Sequence, residues 1–245
     1  MLNGWLGEGK ENRMEHDFQY ISKHDPKVRA EYANLTKILR RTQDLAREKF
    51  TFQFYPVGSF SRNMITYDAK SNVGYDFDIN IEVNDDEEAY FANEEAYFAK
   101  EIRDILRNAL SRVAPEYGYS HAKDSTRVIT IKMVDHGHSR ILHSCDFAVV
   151  HNYSGRENRK PMQQYIRFRK ENQSYFWCQQ SKGYDELPEK VKWLKRNSLW
   201  GELRNYYRSK KNANTDADCH SRTIFAISVH EMCQKYGYYP GRERG

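Results

Sequence analysis

The stretch that most limits how this chain can fold runs from Val73 to Val83 and reads Val-Gly-Tyr-Asp-Phe-Asp-Ile-Asn-Ile-Glu-Val. Tyr75, Phe77, Ile79, Ile81 and Val83 fall on one side of a two-residue period, and Asp76, Asp78, Asn80 and Glu82 on the other. A helix would scatter both sets around its axis, whereas a strand with one face in a core keeps them apart. On such a strand Asp76 and Asp78 stand side by side, about 7 Å apart at Cα for a rise of about 3.3 Å per residue. Two carboxylates that close repel each other unless positive charge lies between them. A divalent cation with a preference for oxygen ligands answers that need. Just upstream, Gly58-Ser59 predicts a tight turn whose backbone N–H groups and hydroxyl suit a phosphate.

The rest of the chain builds outward from that strand. Val28, Tyr32, Leu35, Leu39, Thr42 and Leu45 recur at three and four between Lys27 and Phe50, which predicts an amphipathic helix. Phe52 and Phe54 alternate in a short strand that leads into Gly58, and Ser59 to Thr66 reads as a helix or turn. A loop through Asp68, Lys70 and Asn72 follows, and residues 1–26 show no regular pattern. Glu87 to Arg112 predicts a helix, with Glu-Glu-Ala-Tyr-Phe-Ala repeated from positions 87 and 94, a stripe of Phe91, Phe98, Ile102, Ile105 and Ala109, and Pro115 as its stop.

Arg127 to Val134 and Ile141 to Val150 are β-rich and joined by Asp135-His136-Gly137-His138-Ser139, the pattern of an antiparallel hairpin. Asp146 interrupts the apolar run Cys145 to Val150, where an acid costs free energy unless it is paired or coordinated. It is the candidate third carboxylate. Residues 152–185 are polar and without clear period. Helical patterns follow from Pro188, around Leu203 and Tyr207, and from Ser221, taken as a cap, to Gly237. The expectation is an α+β chain with a catalytic lobe over 1–152 and a mostly helical lobe over 153–245.

Composition narrows the class further. With 39% hydrophobic and 30% charged residues, the 245-residue chain has no apolar run near the roughly 20 residues that cross a bilayer. Its start lacks a basic segment before an apolar one, so no secretory leader is expected. Four scattered cysteines with no C-x-x-C pair read as reduced thiols, and the expected location is cytoplasmic. A net charge of +5 permits nucleotide or RNA partners without demanding them. His136, His138, His143 and Cys145 lack zinc spacing, and the histidines read as residues of an exposed turn.

The order Gly58-Ser59, then Asp76-Phe77-Asp78, then Asp146 resembles the DNA polymerase β-like nucleotidyltransferase superfamily. Within it, the chain looks most like the bacterial enzymes similar to cyclic GMP-AMP synthase and oligoadenylate synthase, over residues 50 to 150. The resemblance implies a mixed-sheet catalytic core, a helical lobe and an active site in the cleft between them. It implies transfer of a nucleoside monophosphate from an NTP, ATP among them, to an acceptor hydroxyl with release of pyrophosphate. Asp76 and Asp78 would bridge two Mg²⁺ ions (or Mn²⁺), and Asp146 would hold one of them or take the acceptor's proton. Gly58 and Ser59 would anchor the triphosphate, with Lys195, Arg204 or Lys210 reaching it from the helical lobe. The acceptor stays open: a nucleotide in a second-messenger synthase, or an antibiotic, a protein side chain or an RNA end. A catalytically silent nucleotide-binding relative is the alternative. Two departures stand out: Arg62-Asn63-Met64 replaces a second pair of small residues, and the helical lobe is short for a cyclic-nucleotide synthase.

Overall fold

The computed structural model describes residues 16–71, 73–84, 95–154, 161–180, 186–216 and 218–239. They form an α+β structure of nine strands and six helices, in the order β1 (Phe18–Ile21), α1 (Pro26–Ala46), β2 (Phe52–Val57), α2 (Gly58–Ser61), β3 (Ile65–Asp68), β4 (Val73–Val83), α3 (Glu95–Val113), β5 (Lys123–Asp124), β6 (Ile129–Asp135), β7 (Arg140–Ser154), β8 (Pro161–Arg169), β9 (Ser174–Gln179), α4 (Glu186–Arg196), α5 (Trp200–Ala213) and α6 (Ser221–Lys235).

β4 is the strand that its alternation predicts. Tyr75, Phe77, Ile79 and Ile81 are buried, whereas Asp76 is exposed and Asp78 half-buried. It lies between β2, antiparallel, and β7, parallel, in the sheet order β2-β4-β7-β6-β5. β6 and β7 form the expected hairpin, with a bulge between Met133 and Val134. The apolar face of the sheet packs on α1 and α3 through Leu35, Ile38, Leu39, Leu106 and Leu110. The carboxylate of Asp25 accepts the Lys27 amide at 2.9 Å and Pro26 opens the helix, so α1 starts as a capped helix should. Its stripe ends on Ala46, fully buried, and Leu45 stands 43% exposed because its place on the helix turns it off the core.

Several expectations change. Residues 18–21, read as irregular, and 65–68, read as the end of a helix or turn running into a loop, form the antiparallel pair β1–β3. The strands are four residues long, too short for alternation to show. β8 and β9 extend the main sheet from the far half of β7, so strand structure continues past residue 152 and the helices begin at Glu186. The first copy of the repeat, at residue 87, with Phe91 and Asn72, lies outside the described residues, as does the Phe98 side chain. Pro115 sits in a 3-10 turn, Ala114–Tyr117, that closes on Gly118 at φ +81°. Ser221 is the first residue of α6, and His220 holds the cap position.

A second apolar cluster joins the last three helices through Leu194, Leu203, Tyr207, Phe225, Val229 and Met232, and it takes in Met64 from the segment after Gly58-Ser59. β1 and β3 mount these helices. The Phe18 amide donates to Asn212 at 2.7 Å, the Tyr20 hydroxyl donates to the Arg204 carbonyl at 2.7 Å, and Lys211 Nζ donates to Thr66 at 2.7 Å. Among the described residues, no helix is long and apolar enough to cross a membrane.

Candidate active site

The strand register brings the acids together. Asp78 faces Asp146 across the parallel β4–β7 pair and Asp76 faces Ser144, and residues opposite one another in a ladder share a face. Neighbouring strands lie about 4.8 Å apart, so Asp146 sits closer to Asp78 than Asp76 does along its own strand. On the other side of β4, Val57 is opposite Asp78, which delivers the Gly58 turn to the same place.

Gly58 is fixed there by two independent constraints. Its φ is +63°, in the left-handed region, and a Cβ at this position would stand 2.0 Å from Asp78 Oδ2. Only glycine meets both demands. The Asp78 carboxylate therefore rests directly against the turn carrying Ser59. Each of the other two acids is oriented by a hydroxyl: Ser144 donates to Asp76 Oδ1, and Thr130 donates to Asp146 Oδ1 at 2.5 Å.

The electrostatics match this crowding. Burial, then the negative charges of Asp146 and Asp76, push Asp78 up to about 6, against the pull of Arg62 and Arg222. Burial and the charge of Asp76 also raise Asp146, opposed by the Thr130 hydrogen bond and by Lys132. Among the described residues no group of three His, Cys, Asp or Glu side chains is placed to hold a metal ion. Asp76 and Asp146 are each held instead by a hydroxyl, and Asp78 lies against Gly58.

Three cations that sequence reasoning did not select lie at the site. Arg62 stacks over the Phe225 ring at 4.2 Å, and burial lowers its pKa while Tyr207 and Asp78 favour its charge. Arg222 opens α6 close enough to favour ionised Asp78. Lys211 lies over the Phe18 ring at 3.7 Å, and burial pushes it down to about 8 against the attraction of Asp76 and Asp68. A cavity of about 250 Å³ opens beside Lys211, bounded also by His16, Asn214, His220 and Ser221. The three alternatives named for a cation from the helices have these partners. Lys195 covers Trp200 at 4.5 Å, Arg204 covers Tyr20 at 4.5 Å, and Lys210 pairs with Glu231 at 2.8 Å.

A signal for Lys211 existed. Leu203, Tyr207 and Lys211 recur at four on α5 and all are buried, so helix phase alone separates Lys211 from Lys210. The segment Arg62-Asn63-Met64 also gains a role, because Met64 and Arg62 dock the Gly58-Ser59 turn onto the helical cluster. Of the histidines, His143 is buried against the Tyr119 hydroxyl at 2.7 Å rather than exposed in the turn.

No family model matches the chain, and no curated protein matches its sequence. Solved structures do match. The CD-NTase CdnG of Bradyrhizobium diazoefficiens in complex with GTP superposes with a TM-score of 0.52 at 14% identity, covering 88% of this chain and 66% of that one. DncV of Escherichia coli in its 3′-deoxy GTP bound form gives 0.50 at 16% identity, covering 82% and 52%. The Vibrio cholerae di-nucleotide cyclase DncV in complex with GTP gives 0.50 at 15%, covering 82% and 54%. The chain thus spans about half the length of the two DncV chains. What it shares with all three is the fold: this chain has the nucleotidyltransferase fold of CdnG and DncV.

Proposed function

We propose that this protein is a metal-dependent nucleotidyltransferase that moves a nucleoside monophosphate from an NTP to an acceptor hydroxyl, and that the acceptor is a second nucleotide, as in a second-messenger synthase. The observation that carries this reading is the meeting of Asp78 and Asp146 in register beside a glycine turn that no other residue could form. The shared fold of CdnG and DncV, solved with GTP or 3′-deoxy GTP, supports an NTP substrate by analogy.

Asp76, Asp78 and Asp146 fit Mg²⁺ or Mn²⁺ as a donor set by chemistry, because they are hard oxygen ligands, and burial together with the neighbouring acids' charge raises Asp78 and Asp146. Bound there, the ions would offset charge on the phosphoryl oxygens and acidify the acceptor hydroxyl. The chain's own groups perform the remaining work. The Gly58 and Ser59 amides and the Ser59 hydroxyl hold phosphate oxygens. Lys211 supplies a cation already stripped of water, whose protonated form an incoming triphosphate favours.

Asp146 is positioned to take the acceptor's proton, since Thr130 fixes its Oδ1. As that proton leaves, the acceptor oxygen bonds to the α-phosphorus. The α–β bridging P–O bond breaks and its electron pair departs with pyrophosphate.

Incubation with each α-labelled NTP and Mg²⁺, followed by product separation, tests this reading. The label is expected in a new species containing two or more nucleotides. Label that stays in the NTP under every pairing contradicts it.

A further inference from the structure

The ribbon of β1 and β3 touches α5 along a line of cations. Phe18 is opposite Asp68 and Tyr20 is opposite Thr66 in the β1–β3 register, so these four side chains share one face of the ribbon. Arg204 and Arg208 lie over the Tyr20 ring at 4.5 and 5.6 Å, and Lys211 lies over the Phe18 ring at 3.7 Å. Positions 204, 208 and 211 are spaced to form a single stripe on a helix. The stripe ends in the hydrogen bond that Lys211 Nζ donates to the Thr66 hydroxyl at 2.7 Å.

Thr66 is a neutral acceptor in a place where acids are at hand. Lys210, the next residue back on α5, pairs with Glu231 at 2.8 Å, so its charge is met within the protein. The Asp68 carboxylate attracts Lys211, but it is bonded to His16 at 2.8 Å and to the Asp17 and Lys70 amides at 3.0 Å each. A hydroxyl orients an ammonium without neutralising it, and the bond to Thr66 uses one of the three N–H donors that such a group has. Asp76 pulls on the same charge from the proposed metal site. The cavity bounded by Phe18 and Lys211 lies beside it. A free lysine would lose rotamer freedom on meeting a phosphate. Ring and hydroxyl impose that loss before the ligand arrives, which favours binding.

We propose that Thr66 is a positioning residue, whose hydroxyl, together with the Phe18 ring, holds the Lys211 ammonium where it meets the phosphates of a bound nucleotide. This rests on the phosphate-binding role proposed above for Lys211. Thr66→Val keeps a branched side chain suited to a strand and removes the acceptor, whereas Thr66→Ser keeps the acceptor.

The test is calorimetric binding of inorganic tripolyphosphate, with Mg²⁺, to the wild type, Thr66→Val, Thr66→Ser, Lys211→Met and the double variant Thr66→Val/Lys211→Met. Thr66→Val is expected to bind about tenfold more weakly than the wild type, and Thr66→Ser within about twofold of it. In the Lys211→Met background Thr66→Val should have no further effect, because the hydroxyl acts through the lysine. Undiminished binding by Thr66→Val, equal losses in the valine and serine variants, the same loss with and without Lys211, or no binding by the wild type overturns the proposal. Binding that Lys211→Met leaves unchanged overturns the role of Lys211 and the proposal with it. The expected pattern without any nucleotide transfer would overturn the transfer reaction alone.

Discussion

Asp78 is held in the fold at an electrostatic cost. An acid raised from 3.8 to about 6 binds its proton more tightly folded than unfolded. Its penalty is therefore absent below the unfolded value and complete above about 6, so stability falls as pH rises through that window. Keeping that carboxyl ionised in the fold costs about 3 kcal/mol more than in the unfolded chain. Asp78→Asn should therefore stabilise the metal-free protein by up to about 3 kcal/mol at pH 8, with the gain shrinking toward pH 4. Urea unfolding in chelator across that range checks it, and equal midpoints at every pH would show that Asp78 is not held at a cost. The two β4 acids were legible because alternation separates acid from core with no help from the rest of the chain. Gly58 was legible as a turn. Its close approach to Asp78 was not, because that contact depends on how β2 and β4 pair.

Elements were legible where one face is apolar. α1, β4 and the β6–β7 hairpin follow their periodicity. β8 did not, because Gln163 and Gln164 are adjacent and both buried. Amide hydrogen bonds to Asn152, Gln180 and His151 there replace the apolar contacts that would have marked a strand face. α3 hides a similar exception. Arg103 is fully buried and donates to Asp124 at 2.6 and 2.9 Å and to the carbonyls of Ser125 and Arg127. The Tyr175 hydroxyl donates to the other Asp124 oxygen at 2.5 Å, which joins α3, β5 and β9 through one carboxylate. Removing that carboxylate would strand a buried guanidinium. Asp124→Ala should cost about 3–5 kcal/mol, measured by urea unfolding at pH 7, and a loss under about 1 kcal/mol would show that solvent reaches the pair.

At the scale of the molecule there are two apolar clusters among the described residues. One backs the sheet and the other joins α4, α5 and α6. Arg62, Lys211 and Arg222 place positive charge close to the acids. The sequence displayed the acids, and helix phase marked Lys211. Arg62 and Arg222 carried no local signal, because a strand's or helix's period is local while their approach to Asp78 depends on how distant segments pack. Lys195 and Arg204 lie over aromatic rings and Lys210 pairs with Glu231, whereas Lys211 is the lysine that Asp76 attracts. Pyrophosphate release from the four NTPs with Mg²⁺, compared among wild type, Asp76→Asn and Asp78→Asn, tests most directly whether the three acids form a nucleotidyl-transfer site. Release by the wild type and a fall of about a thousandfold or more in both folded variants is expected, equivalent to about 4 kcal/mol of lost transition-state stabilisation. Release by either variant at the wild-type rate would show that these carboxylates do not carry the reaction.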